Sequence, residues 1–301
     1  MFRSVLVGLD GSSESRAAAE WAAREAKLRG LPLRLVHVWE PVPEPMAQAP
    51  LLGAETQQHW SERIPRETAE GLQSRHPGVD VTAVHLNGRP GDVLVDVARD
   101  AELLVLGSRG LSGVGGFMVG SVGQAVIART EAPVVLVRSG EQAADEHTMD
   151  PAGIPSAATS FRPVLLGLDI RSPDDTVIAF AFEEAARRRT ALRVLHAWSP
   201  PPYNIYGLSD HVSVYDELAR EKAAELTDAL RPWRQKHPAV EVIEASRAGS
   251  AADQIANSSR NASLVVVGRR IRRSRFGAHI GPVAHAVLHH AVAPVAVVAH
   301  A

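Results

Sequence analysis

Leu103-Leu104-Val105-Leu106-Gly107-Ser108-Arg109-Gly110 passes from an apolar run into a glycine-rich turn, and nine residues later the chain reads Gly120-Ser121. A short continuous apolar run bounded by turn residues suits a strand covered on both faces, as in a parallel sheet. Helical spacing resumes after Gly120, so the stretch reads as strand, glycine loop and a helix beginning near Ser121.

The same alternation continues on either side. Strands are predicted at Ser4–Leu9, Leu33–Trp39, Val79–Leu86, Leu103–Leu106 and Val134–Arg138, all rich in Val and Leu. A helix is predicted from Ser13 to Arg29, with Ala18, Trp21, Ala22, Glu25 and Ala26 at helical spacing. Ser12 or Ser13 serves as its N-cap and Gly30 as its stop. Asp92–Arg99 is a shorter crossover. Strands alternating with helices predict an α/β fold, a parallel sheet with helices on both faces.

The pattern then occurs a second time. Val5-Leu6-Val7-Gly8-Leu9-Asp10 returns as Val164-Leu165-Leu166-Gly167-Leu168-Asp169, and His37-Val38-Trp39 as His196-Ala197-Trp198, both 159 residues on. His76-Pro77, Leu104-Val105-Leu106-Gly107 and Ala132-Pro133-Val134 return 161 residues on, as His237-Pro238, Val265-Val266-Val267-Gly268 and Ala293-Pro294-Val295. The period is far longer than that of a solenoid. Two copies of one domain are predicted, at 1–139 and 161–301, with 140–160 as a linker of Gly, Pro, Ala and acidic residues. In the second copy, Ser172-Pro173-Asp174-Asp175 reads as cap, first-turn proline and acidic first turn. Ala252–Asn261 is the matching crossover and Val295–Ala299 the last strand. The proline-rich stretches Pro41–Gly53 and Ser199–Gly207 follow the second strand of each copy. They read as loops at the C-terminal edge of the sheet, either plain connectors or flaps over a ligand.

Composition bounds the function. The chain has 301 residues, 45% hydrophobic and 22% charged, which suits a globular protein of about two domains. It has no cysteine, which excludes disulfides, a thiol nucleophile and Cys-ligated zinc. A net charge of −2 gives no general attraction to nucleic acid or anionic membrane. No apolar run approaches the ~20 residues that span a bilayer. The N-terminal residues lack the pattern of a signal peptide, so a cytoplasmic protein is expected.

The glycine loop carries the chemistry. Glycines let main-chain N–H groups turn inward and approach a polyphosphate. The helix after Gly120 adds its positive end, and the Ser121 hydroxyl is a further donor. No Gly-Lys-Ser/Thr is present, so this is not a Walker loop, and a dinucleotide fingerprint would follow the first strand instead. Gly113, Gly115 and Gly116 would leave an empty loop flexible. Without a ligand, the same stretch is a glycine-rich connector. Asp10, at the end of the first strand, is placed to accept from ribose hydroxyls or an adenine amino group; it also suits a helix cap before Gly11-Ser12.

These residues together resemble the adenine-nucleotide-binding type of the universal stress protein family. The family motif Gly-x2-Gly-x9-Gly-Ser/Thr stands here as Gly107, Gly110, Gly120 and Ser121. The resemblance covers both halves. It implies a tandem pair of five-stranded flavodoxin-like (Rossmann-like) domains and a stress or dormancy role in which ATP occupancy, with or without Mg²⁺, tunes conformation or a protein partner. It implies that Asp10, beside Gly8, holds the ribose or adenine end and that Val38 offers its backbone to adenine. Gly107, Arg109, Gly110, Gly120, Ser121 and Val122 would line the phosphates. Where many members have a further hydroxyl residue this chain has Gly123, so weaker binding is expected. In the family the last strands resemble a dimer seam. Here Val134–Arg138 and Val295–Ala299 are expected to pair the two halves as a pseudo-dimer, with further association of two chains.

The second copy departs from the motif. Asp169 and Gly268 are retained, but the second glycine is Ile271 and the last pair is Gly281-Pro282. Pro282 removes an N–H and a hydroxyl, and Ile271 resists positive φ. Asp169, Ala197, Gly268 and Gly281 are the carried-over candidates. Arg269, Arg270, Arg272, Arg273 and Arg275 add charge, read as a solvated loop, a degenerate phosphate site or a patch for another anion. His285 and His289, four apart on a helix beside His290, can hold a metal but lack a nearby carboxylate; His37 and His196 read as hydrogen-bonded strand residues. No general base stands beside the presumed phosphates, so at most slow ATP hydrolysis, and no efficient enzyme, is expected. A hydrolase or nucleotidyl-transfer enzyme on the same crevice and a nucleotide-free assembly module are the competing readings.

Overall fold

The computed structural model describes residues 3–40, 54–110, 117, 118, 120–199, 212–271 and 280–301. The loops at Pro41–Gly53 and Ser199–Gly207 (beyond Ser199), the glycines at 113, 115 and 116, and Arg272, Arg273 and Arg275 lie outside the described residues. The chain divides into two compact units, Met1–Gln142 and Ala143–Ala301.

In the first unit the strands are β1 (Ser4–Leu9), β2 (Leu33–Trp39), β3 (Val81–Asn87), β4 (Ala101–Gly110), the two-residue β5 (Phe117–Met118) and β6 (Val134–Arg138). They form the order β3-β2-β1-β4-β6, all parallel. The helices are α1 (Ser13–Arg29), α2 (Ala54–Arg75), α3 (Pro90–Ala98) and α4 (Ser121–Arg129). α1 and α2 pack together on one face, and α3 and α4 together on the other. The reversal of strand order beside β1 puts a crevice at the carboxyl ends of β1 and β4, the place where open α/β sheets bind ligands.

α1 starts where its sequence dictates. The Ser12 side chain accepts from the Ser15 amide, and Gly30 closes the helix at φ +63°. Ala18, Ala19, Trp21, Ala22, Ala23 and Ala26 are buried, and the small residues let the helix lie close on the sheet. Glu25 shares that buried face and is paired with Arg29 at 2.8 Å, one turn on.

β4 is longer than the apolar run suggests. It continues through Gly110, and Arg109 and Gly110 pair antiparallel with Met118 and Phe117. The first half of the glycine loop is therefore sheet, because the ladder to β6 and β5 satisfies its backbone groups. Gly107 is fixed by close approach: a Cβ there would stand 2.5 Å from the Glu14 carbonyl carbon. In the second unit the equivalent Cβ on Gly268 would meet the His300 ring at 3.0 Å and Val177 at 3.2 Å, which are side chains able to give. Gly107→Ala is expected to cost about 1–3 kcal/mol and Gly268→Ala clearly less. Urea unfolding of the two variants checks this; equal losses would contradict it.

The second unit repeats the plan with β7 (Val164–Gly167), β8 (Leu192–Trp198), β9 (Val242–Ala248), β10 (Leu264–Arg270) and β11 (Val295–His300), in the parallel order β11-β10-β7-β8-β9. Its helices are α5 (Asp175–Arg188), α6 (Val212–Lys236), α7 (Ala251–Ser258) and α8 (Pro282–His290). One expectation is corrected here. The cap of α5 is Asp174, accepting from Thr176 and Val177 amides, so the helix opens at Asp175 and Ser172-Pro173 precede it. The Asp174 carboxylate accepts from two first-turn amides, and its charge suits the positive helix end better than a serine hydroxyl would.

Residues 143–160, expected as a linker from composition, have internal structure. A 3₁₀ turn over Ala143–Glu146 leads to antiparallel bridges of His147 with Phe161 and Met149 with Pro155. Asp150 accepts from the Ala152 and Ile154 amides, and Gly153 supplies φ +79° at the tip. The His147 and Phe161 rings lie 4.1 Å apart, which holds this segment to the second unit.

Candidate functional site

In each unit the carboxyl ends of the first and fourth parallel strands border a cavity. The first, of about 250 Å³, is lined by Gly8, Asp10, Val38, Gly107, Gly120, Ser121 and Val122, and also by Ser12, Glu14, Ser15, Val36, Leu94 and Gly123. Every predicted first-copy site residue with a described side chain is therefore gathered around one space. Arg109 and Gly110 are described by their backbone, in the ladder with β5.

Two local devices place the carboxylate. His37, buried in β2, donates from Nδ1 to the Leu9 carbonyl at 2.9 Å, pinning the last residue of β1. The next residue, Asp10, turns outward at Gly11 (φ +81°), and its Oδ1 accepts from the Ser12 amide at 3.0 Å. Asp10 thus shapes the turn but does not cap α1; Ser12 does. The second unit copies this arrangement: His196 donates to the Leu168 carbonyl at 3.1 Å, and Asp169 accepts from the Arg171 amide at 3.1 Å.

The opposite wall is a helix start. Gly120 is the N-cap of α4, with φ −61° and ψ 159° and no side-chain cap. The first-turn amides of Ser121, Val122 and Gly123 have no acceptor within the helix, as at any helix N-terminus, and all three residues line the cavity. Main-chain donors, a hydroxyl and the positive end of the helix dipole therefore face Asp10 across an apolar floor of Val36, Val38, Leu94 and Leu106. Asp10 and Glu14 are the charged groups among the described lining side chains.

The second cavity, of about 410 Å³, is lined by all four carried-over candidates, Asp169, Ala197, Gly268 and Gly281. Gly281 caps α8 with φ −64°, so its backbone does not need glycine, and a Cβ there would meet nothing within 4 Å. The arginine cluster is not one surface. Arg269 is buried whereas Arg270 lines the cavity, because successive residues of β10 point to opposite faces.

Sequence reasoning missed Ser12, Glu14, Ser15, Val36 and Leu94 in the first crevice, and Arg171, Asp174 and His300 in the second. Val36 was accessible, since it shares a strand face with Val38. Ser12, Glu14 and Ser15, like Arg171 and Asp174, follow the Asp10 or Asp169 carboxylate within five residues, and that nearness is their signal; Leu94 and His300 come from elements distant in sequence, for which no spacing gives a signal. The rings of His285 and His289 lie 4.5 Å apart, and among the described residues no group of three or more metal-ligating side chains is gathered. Among those residues, too, no helix is long and apolar enough to cross a membrane.

A sequence profile of the universal stress protein family matches residues 1–138 and 160–299. The chain belongs to the universal stress protein family. It is 32% identical to universal stress protein Rv2005c of Mycobacterium tuberculosis, over 97% of this chain and 96% of that one. It is 30% identical to a universal stress protein of Mycolicibacterium smegmatis, over 98% and 96%. A universal stress protein of Archaeoglobus fulgidus, 18% identical, shares the fold at a TM-score of 0.69 over 99% of this chain and 98% of its own. This universal stress protein is thus a tandem of two Rossmann-like domains, each with its own crevice.

Proposed function

We propose that the first crevice binds ATP or another adenine nucleotide and that occupancy regulates the conformation or partners of a stress-response protein. The observation that carries this reading is the gathering of Asp10 and the α4 first-turn amides on opposite walls of one apolar-floored cavity. The floor suits a base, Asp10 a sugar or amino group, and the helix start a phosphate chain. Glu14, which stands against Gly107, also suits a magnesium ion carried in with the phosphates, since Mg²⁺ prefers carboxylates plus substrate phosphates. Among the described residues the ionisable lining groups are Asp10 and Glu14, read here as the sugar end and a metal ligand, so binding without efficient turnover is the expected behaviour.

Equilibrium dialysis with ATP and a phosphate-release assay test this. Saturable binding with negligible turnover is expected. Release faster than about one per second would make the protein an enzyme, and absence of binding would leave both loops as connectors. Asp10→Asn keeps the acceptor for the Ser12 amide but removes the charge. We expect about tenfold weaker nucleotide binding with an unchanged unfolding midpoint. Unchanged affinity would remove Asp10 from the site.

A further inference from the structure

The two crevices share a place in the repeat but have different walls. α1 begins at Ser13, whose counterpart 159 residues on is Ser172, yet α5 begins only at Asp175. In the first unit the main chain of Glu14 closes the end of the cavity against Gly107. In the second the helix has withdrawn by three residues, and the imidazole of His300, from β11, stands against Gly268 instead. His300 Nδ1 lies 3.5 Å from Asp174 Oδ2, so one residue caps α5 and faces the ring. Arg270 reaches into the same cavity, its Nη2 donating to the Ser172 hydroxyl at 2.8 Å. Among the described residues Arg270 meets no carboxylate, whereas its neighbour Arg171 is paired with Asp169 at 3.4 Å.

The charge pattern differs accordingly. The described side chains of the first crevice offer carboxylates and no cation; a phosphate there meets main-chain amides and the Ser121 hydroxyl. The second offers the Arg270 guanidinium, which meets no carboxylate among the described residues, the His300 imidazole, and the first-turn amides of Val283 and Ala284, beside two carboxylates already engaged, Asp169 with Arg171 and Asp174 with the start of α5. Pro282 contributes neither amide nor hydroxyl. A guanidinium and two amides, with the His300 ring beside them and its Nδ1 turned to the Ala301 carbonyl at 3.1 Å, match the oxygens of one phosphate group better than a chain of three. Leu168, Leu195, Ala197, Ile255 and Val267 provide an apolar floor for whatever body carries that phosphate.

We propose that the second crevice is a separate phosphomonoester site, read by the side chains of Arg270 and His300, and not a second triphosphate cradle. The site does not depend on what the first crevice binds. The phosphate arrives either free or on a nucleoside, and the two are separated by experiment.

The test is a titration of the full-length chain with inorganic phosphate, AMP, adenosine and ATP, followed by the amide resonances of Val283 and Ala284 and, for the first crevice, of Val122 and Gly123. AMP is expected to move Val283 and Ala284 and adenosine to leave them. A response to inorganic phosphate as strong as to AMP assigns recognition to the phosphate alone; a response to AMP only assigns it to phosphate plus nucleoside. Arg270→Gln and His300→Gln should each weaken the effect about tenfold while Val122 and Gly123 respond as before. Pro282→Ser should not weaken it. The proposal is overturned if neither phosphate nor AMP moves Val283 and Ala284 at millimolar concentration, if Arg270→Gln titrates like the parent, or if ATP binds there tenfold more tightly than AMP. Silence of Val122 and Gly123 towards ATP would sink the first-crevice reading and leave this one standing.

Discussion

Ser121→Glu is expected to lower affinity for ATP by about a hundredfold or more without lowering the melting temperature. Ser121 is the first residue of α4, exposed, and lines the first crevice. A carboxylate at a helix start interacts favourably with the dipole, by about 0.3–1 kcal/mol, so the fold gains slightly. The same charge occupies the place proposed for the phosphates. Two like charges about 4 Å apart at an effective dielectric near 20 repel by about 4 kcal/mol, and even half of this is more than tenfold. Several phosphate charges enlarge the effect. Ser121→Ala removes only a hydroxyl donor and should cost about tenfold at most. Calorimetric titration of both variants, with circular dichroism melts, separates lost binding from lost structure. Parental affinity in a folded Ser121→Glu protein would show that the anion end of the ligand is not at the start of α4.

Glu184→Leu should destabilise the second unit by about 3–5 kcal/mol. Glu184 and Arg188 are paired one turn apart on α5 with side chains 1% and 0% exposed, and Arg187 donates to the same carboxylate at 2.8 Å. The Arg188 guanidinium also faces the Phe161 ring, 5.8 Å from its centroid. Removing the glutamate takes from Arg188 and Arg187 the carboxylate they share and leaves the Arg188 guanidinium in the interior. The double variant Glu184→Leu/Arg188→Met buries apolar surface in place of both charges and should recover most of the loss. Native-state hydrogen exchange along α5 measures both. A single variant as stable as the parent, or a double variant no better than the single, would refute the account. The equivalent pair in the first unit, Glu25 and Arg29, is buried to a similar degree and should behave alike.

These pairs show where sequence reasoning stops. Helical spacing put Glu25 on the buried face with Ala18, Trp21, Ala22 and Ala26, and that face is buried. The pairing that makes burial of Glu25 tolerable was not read, although Arg29 stands at the i+4 position. Two other misreadings have the same character. Spacing groups Arg269 to Arg275 as one basic stretch, yet β10 extends to Arg270 and sends Arg269 inward. Composition made residues 140–160 a linker, whereas bridges and ring contacts give much of that segment a defined fold on the second unit.

The sequence by itself determined the α/β class, the duplication, the extent and caps of α1, and the motif positions Asp10, Gly107, Gly120 and Ser121 that border the first cavity. These follow from short-range signals: apolar runs, helical period, a capping serine, a terminating glycine, and motif glycines at fixed spacing. Only the tertiary structure decided what stands behind the motif glycines: the Glu14 main chain against Gly107, His300 against Gly268, and Arg270 in the second cavity, donating to the Ser172 hydroxyl. Those contacts join residues dozens to nearly a hundred positions apart. They depend on where a strand ends and a helix begins to within one turn, and the competition that sets those ends is between distant hydrogen-bond partners, not neighbours in the chain.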